Sequence, residues 1–305
     1  MKEYIISRIA NNNNFKINQV KAAVKLLDDG NTIPFIARYR KEATGQLNEE
    51  ELRLIEERLD YIRNLEDRKE EVLRLIDKQD KLTEELEEKI NKAEILQEVE
   101  DLYRPYKQKR RTRATKAKEK GLEPLAETIW AQESAQIDLI ELAEEYLDEE
   151  NDLNSIEDVL QGARDIIAEW ISDDAEIRKK IREMSFSQGL IKSEVKDEEI
   201  DEKGKYELYY EYSESVNKIP PHRILALNRG EDEEVLKINI EVPEQKIYDF
   251  IDNKIIINDS IFKENLTEAI RDAYKRLISP SIEREIRNNL TEKAEEHAIE
   301  VFGKN

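Results

Sequence analysis

Along most of this chain apolar residues return every three or four positions, the spacing that lines one face of a helix. Tyr4, Ile5 and Ile9 give a first stripe, which Asn11 to Asn14 interrupt. Asn18 is placed to cap a second helix carrying Val20, Ala23, Val24 and Leu27, with Gly30 at its C′ position. Thr32 and Pro34 open a third, IPFIARYRKEA, with proline in its first turn. After Gly45, Asn48 and Glu51 form a capping box, and Leu52, Ile55, Leu59, Ile62, Leu65, Val72 and Ile76 keep one face to about Lys78. At about 1.5 Å per residue that helix is roughly 45 Å long. Its seam falters at Glu66 and Lys69, which predicts packing within the chain rather than a coiled coil. Thr83 caps a further helix running towards Leu102.

A loop then leads into a short helix over Ala114–Lys120. Four helices are predicted over 124–132, 137–148, 155–172 and 174–187, the last started by Asp173 or Asp174 and ended by Gly189. GLIKSEVK alternates like a strand, and two close-set helices before a strand resemble a helix-turn-helix with a wing. Arg178, Lys179, Lys180 and Arg182 are the only cations its last helix offers to DNA. Residues 197–217 are acidic and tyrosine-rich. Pro220 and Pro221 open a helix ended by Gly230, and VLKINIEV is the clearest strand of all. Pro243 starts a helix to about Asn253, another covers 265–278, and Pro280 begins the last. The predicted fold is therefore mainly α and multihelical. It has a long central helix, a helix-turn-helix-like subdomain and at most a few short strands. Its expected divisions are 1–120, 121–196 and 197–305.

Composition agrees with long solvated helices. Of 305 residues 40% are charged, with only 8 Gly and 7 Pro. The absence of cysteine excludes disulfides, thiolate metal sites and cysteine nucleophiles. No stretch approaches the roughly 20 apolar residues of a membrane span, and the N-terminus lacks the apolar run of a signal peptide. A cytoplasmic location and a monomer are the expectations.

Charge changes the picture more. The chain carries a net −21, yet residues 103–120, YRPYKQKRRTRATKAKEK, hold nine Lys/Arg against one acid, Glu119. A cationic island of this kind suits a polyanion, with Tyr106 at its edge to stack on a base. It suits equally well the acidic remainder of its own chain. The candidate phosphate contacts are Lys107, Lys109, Arg110, Arg111, Arg113, Lys116 and Lys118, with Tyr106. Arg38, Arg40 and Lys41 form a second cationic set. Catalytic chemistry is not legible. His222 and His297 stand 75 positions apart without a metal-ligand spacing, phosphate-loop glycine patterns are missing, and acids are too numerous to single out a pair. Neither enzyme activity, metal nor cofactor is expected.

Three segments are specific enough to carry a resemblance: IPFIARYRKEATGQL (33–47), DLYRPYKQKRRTRATKAKEKGLEPLA (101–126) and IPPHRILALNRGE (219–231). They resemble the N-terminal half of the Tex family of bacterial transcription accessory proteins, itself related to a eukaryotic elongation factor that handles nucleosomes. The similarity runs from about Tyr4 to Phe302. It implies that an RNase H-like domain, helix-hairpin-helix units and an S1 domain would follow, S1 being the main nucleic-acid-binding element. The chain stops close to where the RNase H-like domain should begin, so it reads as part of a longer protein. The resemblance implies RNA or DNA as partner, bound weakly by this stretch, besides the domains that would follow and the transcription machinery. It transfers no catalytic residue. Arg38, Arg40 and Lys41, and a third set at Arg223 and Arg229, carry over as cations for a ligand or for gripping the following domains, the resemblance implying the latter role for Arg38 and Arg223.

Two functions follow as expectations. One is a helical scaffold with auxiliary, sequence-independent phosphate contacts; about five phosphates would give a log–log salt slope near about −4 on duplex DNA. The other is a protein-interaction module docking on its own C-terminal half or on the transcription machinery, without nucleic acid.

Overall fold

The computed structural model describes residues 2–133 and 138–303. They are mainly helical with three short strands, and the chain divides into two compact units, Met1–Tyr103 and Arg104–Asn305.

The first unit comprises α1 (Lys2–Asn13), α2 (Ile17–Asp28), α3 (Ile33–Tyr39), α4 (Glu49–Asp77), α5 (Glu84–Lys92) and α6 (Leu96–Tyr103). Ile9, Val20, Ile36, Leu52 and Ile55 close a core among the first four. The asparagine run does not stop α1 early. Asn13 Nδ2 donates to the Ile9 carbonyl at 2.9 Å, and the chain leaves the helix only at Asn14, with φ 57°. Asparagine tolerates that left-handed conformation better than most residues. Nor does Asn18 cap α2. Lys16 is the N-cap, and its N–H donates to Gln19 Oε1 at 3.1 Å. The capping box of α4 forms as predicted, with Glu51 N donating to Asn48 Oδ1 at 2.9 Å and Asn48 N to Glu51 Oε2 at 2.8 Å.

The faltering seam of α4 also has a structural reason. Lys69, 2% exposed, donates to Glu66 Oε1 at 2.9 Å and to the Asn91 carbonyl at 3.0 Å, near the end of α5. A buried ammonium needs such partners. The helix predicted to run from Thr83 towards Leu102 is two helices, broken at Ala93, which adopts ψ 131° without a glycine or proline to announce it.

The second unit comprises α7 (Arg113–Glu119), α8 (Glu123–Ala131), α9 (Leu139–Glu144), α10 (Ile156–Asp173), α11 (Ala175–Gln188), β1 (Leu190–Val195), β2 (Glu211–Ser215), α12 (Pro221–Asp232), β3 (Leu236–Glu241), α13 (Glu244–Ile255), α14 (Lys263–Asp272) and α15 (Ser279–Gly303). The predicted start of α9 at Ile137 lies outside the described residues, and α9 ends earlier than 148. α10 is the core helix: Val159, Ala163, Ile166, Ile167 and Ile171 are all fully buried. Gly162 at its middle lets the α7–α8 corner approach, because a Cβ there would stand 2.3 Å from Leu122 Cδ1. Gln132 ends α8 at φ 50°. Its buried side chain donates to the Ile255 carbonyl at 2.8 Å and accepts from Ile257 N at 2.9 Å.

The three strands form an antiparallel sheet in the order β2-β1-β3. β1 and β3 lie where the alternation predicts, and β3 alternates buried and exposed along its whole length. β2 was not predicted, since EYSES lacks an apolar alternation. Gly230 does not end α12, which continues to Asp232. It is a contact glycine, since a Cβ there would lie 2.5 Å from Leu236 Cδ1. The two helices predicted around Pro280 are continuous. α14 passes through a π-helical turn, Ala273–Ile278, into α15. That widened turn lies one residue before Pro280, which has no N–H to give the preceding turn.

Two of the four cations of α11 are turned inward, while Lys179 and Lys180 are exposed. Arg178 is 1% exposed and donates to Ser281 Oγ at 3.1 Å, while Arg182 pairs with Glu285, so both face α15.

Candidate nucleic-acid interface

The basic segment joins the second unit because α10 holds it. Asp165, Glu169 and Asp173 recur at four-residue steps, which places them in one stripe along the helix. Arg104 Nε lies 3.2 Å from Asp173 Oδ1. Lys109 Nζ donates to Asp173 Oδ2 and stands 3.6 Å from Glu169 Oε1. The Asp173 side chain is only 10% exposed, so this pairing is partly withdrawn from solvent screening. Further along, Arg276 lies 3.6 Å from Asp165, and Arg113 also acts on that carboxylate. Burial pushes the Asp165 carboxyl above its ordinary value, against the pull of those two guanidinium groups.

α7 follows as a short capped helix, with Thr112 Oγ1 accepting from Thr115 N at 3.0 Å. Ala114 and Ala117, three apart, are buried. The same geometry turns Arg113 and Lys116 outward. Lys118 is drawn sideways. It pairs with Glu123 at 2.5 Å and lies 5.8 Å above the ring of Trp170, which meets Trp130 edge-on at 5.8 Å. Arg111 pairs with Glu119 at 2.6 Å, but both side chains are largely exposed, so that pair is worth at most about 1 kcal/mol.

The predicted contacts therefore fall into classes. Lys109 and Lys118 are engaged by carboxylates of the same unit, and Arg111 is engaged at the surface. Lys107 is exposed and Tyr106 half-buried. Arg110, Arg113 and Lys116 are exposed, and among the described residues no carboxylate lies within ion-pair distance of them.

The second cationic set behaves differently. α3 buries Ile33 and Ile36 and turns Phe35 and Tyr39 outward. Arg38, Arg40 and Lys41 are all exposed, again with no carboxylate at ion-pair distance among the described residues. At Arg223 a compact polar cluster forms: Nη1 donates to Tyr212 Oη at 3.1 Å and to Glu214 Oε2 at 2.8 Å. Burial, with the Glu214 hydrogen bond, pushes the Tyr212 hydroxyl up to about 12, and that same bond holds the Glu214 carboxyl low. Arg223 is thus committed within its own unit.

Sequence reasoning missed Glu169, Asp173 and Trp170, the groups that seat the segment. Their signal was the four-residue repeat of acids on the buried core helix, hidden among 71 Asp and Glu. Among the described residues no group of three or more His, Asp or Glu is placed to hold a metal ion. Nor is any helix among them long and apolar enough to cross a membrane.

Two family models match the chain: the Tex-like protein N-terminal domain over residues 3–77 and the Tex central region-like family over 135–302. Among its relatives is the protein YdcI of Bacillus subtilis, 53% identical over 94% of this chain and 40% of that protein. The transcriptional accessory protein Tex of Neisseria gonorrhoeae is 38% identical, over 94% of this chain and 38% of its own length. The human S1 RNA-binding domain-containing protein 1 is 29% identical, over 92% of this chain and 29% of its own. The chain spans about two fifths or less of these relatives. With a family model matching more than half of its residues, the chain belongs to the Tex family.

Proposed function

We propose that this chain is the helical scaffold module of a cytoplasmic, nucleic-acid-binding transcription accessory protein, making auxiliary, sequence-independent contacts to phosphates and turning nothing over. The supporting observation is the division of labour within the basic segment. Arg104 and Lys109 seat it on Asp173, which leaves Arg110, Arg113 and Lys116 displayed from a fixed backbone. Fixing the backbone in advance lowers the ordering cost of binding. Three displayed cations, rather than the five or more that the composition suggests, would neutralise about three phosphates, and the expected log–log salt slope on duplex DNA is about −3.

The test is a titration of labelled RNA and DNA duplexes from low to moderate salt. Binding with that slope is expected, and the triple variant Arg110→Glu, Arg113→Glu, Lys116→Glu should lose roughly tenfold or more in affinity at low salt. Equal binding by the charge-reversed protein removes the segment from the function.

A second reading is a protein-interaction module docking on its own C-terminal half or on the transcription machinery. It is favoured by the three fifths or more of its relatives that lie outside the matched span, and by apolar side chains such as Leu208 and Ile257, 87% and 76% exposed. Supplying the remainder of a full-length relative in trans distinguishes it: a stable complex together with no salt-dependent nucleic-acid binding would select this reading.

A further inference from the structure

α3 carries a surface that the phosphate reading does not use. Phe35 and Tyr39, one helical turn apart, meet with ring centroids at 5.3 Å and planes tilted by 45°. They remain 36% and 62% exposed, although Ile33 and Ile36 on the other face of the same short helix are buried. Arg40 sets its guanidinium 5.4 Å from the Phe35 ring centroid. Arg38 and Lys41 flank the rings, and the only nearby acid in the segment is the exposed Glu42. The backbone beneath is fixed. Thr44 is fully buried, and its Oγ1 donates to the carbonyl of Lys41 at 3.1 Å. Gln46 N donates to the same carbonyl at 2.8 Å, and Gln19 Nε2 closes on the Gly45 carbonyl at 2.8 Å.

An exposed Phe–Tyr pair on a helix contributes only a few tenths of a kcal/mol by itself, so helix stability is a weak reason to leave two rings in water. Partly exposed rings, interleaved with cations that have no carboxylate at ion-pair distance among the described residues, are complementary to a chain of bases joined by phosphates. A duplex hides its base faces in the stack; a single strand offers them. We infer that this face of α3 is a stacking platform for single-stranded nucleic acid, with Tyr39 and Phe35 taking bases and Arg38, Arg40 and Lys41 taking the adjoining phosphates.

The inference rests on the first unit alone and stands whether or not the 104–120 segment binds duplexes. The test uses labelled 12-nucleotide oligo(U) and oligo(dT), an abasic strand of equal charge, and a 12-base-pair duplex. Phe35→Ala and Tyr39→Ala should each weaken binding of the two single strands by about tenfold. Tyr39→Trp should preserve binding, and the abasic strand should bind the parent protein about tenfold or more weakly. Photo-crosslinking of a 5-iodouracil strand should mark the peptide containing residues 33–41.

Parent-like binding by the two alanine variants, with far-UV circular dichroism confirming that both are folded, overturns the proposal. So does equal affinity for the abasic and base-bearing strands, or equal losses on duplex and single strand. Oligo(U) against oligo(dT) reports whether the 2′-hydroxyl is read. Because the charge reversal at Arg110, Arg113 and Lys116 acts on a different unit, its outcome on duplexes separates failure of the phosphate reading from failure of this one.

Discussion

The two cationic stretches of this protein are alike in composition and opposite in construction. Residues 104–120 meet an acidic stripe of the central helix of their own unit, where Arg104 and Lys109 hold the segment down. Residues 38–41 extend from a turn pinned by a buried threonine, and their cations neighbour exposed rings instead of carboxylates. Counting Lys and Arg ranks the first stretch far above the second. Counting exposed cations with no carboxylate at ion-pair distance among the described residues makes them equal, with Arg110, Arg113 and Lys116 in one and Arg38, Arg40 and Lys41 in the other. A cation's value to a ligand depends on what it already holds.

Removing the anchor should have the largest effect. Asp173→Asn leaves Arg104 and Lys109 without their carboxylate, and the second unit should lose about 2 kcal/mol in urea unfolding. In the same variant the freed cations should tighten duplex binding and steepen the salt slope by about 1 to 2. A stability change below about 0.5 kcal/mol would mean that the segment is not seated by its charge.

Lys118→Met comes next. Losing the ammonium over Trp170 and its pairing with Glu123 should cost about 1 kcal/mol and shift tryptophan emission. Both tryptophans of the chain lie in that cluster, so the emission is a local reporter.

A pH series sharpens the picture of the stripe itself. The folded state raises the Asp165 pKa, so it holds that proton more tightly than the unfolded chain does. The contribution of Asp165 to stability is therefore largest below the unfolded carboxylate value near about 3.9 and declines as pH rises through the raised folded value. Asp165→Asn should gain on the parent protein across that interval in thermal melts, whereas a constant difference would show that Asp165 titrates normally. The smallest effect belongs to the other stretch. Arg38→Ala with Arg40→Ala should change stability by less than about 0.5 kcal/mol, since among the described residues neither side chain holds a structural partner beyond the ring of Phe35 and the Tyr39 carbonyl.

What could be read in advance follows the same division between local and distant causes. α4 was legible to its first residue because its capping box and its apolar seam are both local. β1 and β3 were legible from alternation, and the Tex resemblance from three long motifs. β2 was not, since its reason to be extended is the ladder with β1, and EYSES carries too little apolar alternation to show it. Gly230 was misread because a glycine that ends a helix and one that admits a neighbouring leucine look identical in sequence. The basic segment was plain as charge, but its assignment to the first lobe rested on chain order. Its placement with the second unit comes from Asp173, more than sixty residues downstream. Arg178 and Arg182 of α11 read as candidates for DNA for the same reason: Ser281 and Glu285, which engage them, lie 103 positions away.

Asp174 is at once the last cap of α10 and the first of α11, its carboxylate accepting from Ile177 N at 2.8 Å. An elbow made of a single residue has no slack. Inserting one residue there would rotate everything downstream by about 100° about the axis of α11. Arg178 would swing from its berth beside Ser281 towards water, and an apolar neighbour would lose its place in the interior. This joint should therefore be among the least tolerant of length variation in the protein, although a one-residue connection between helices looks in sequence like any other turn.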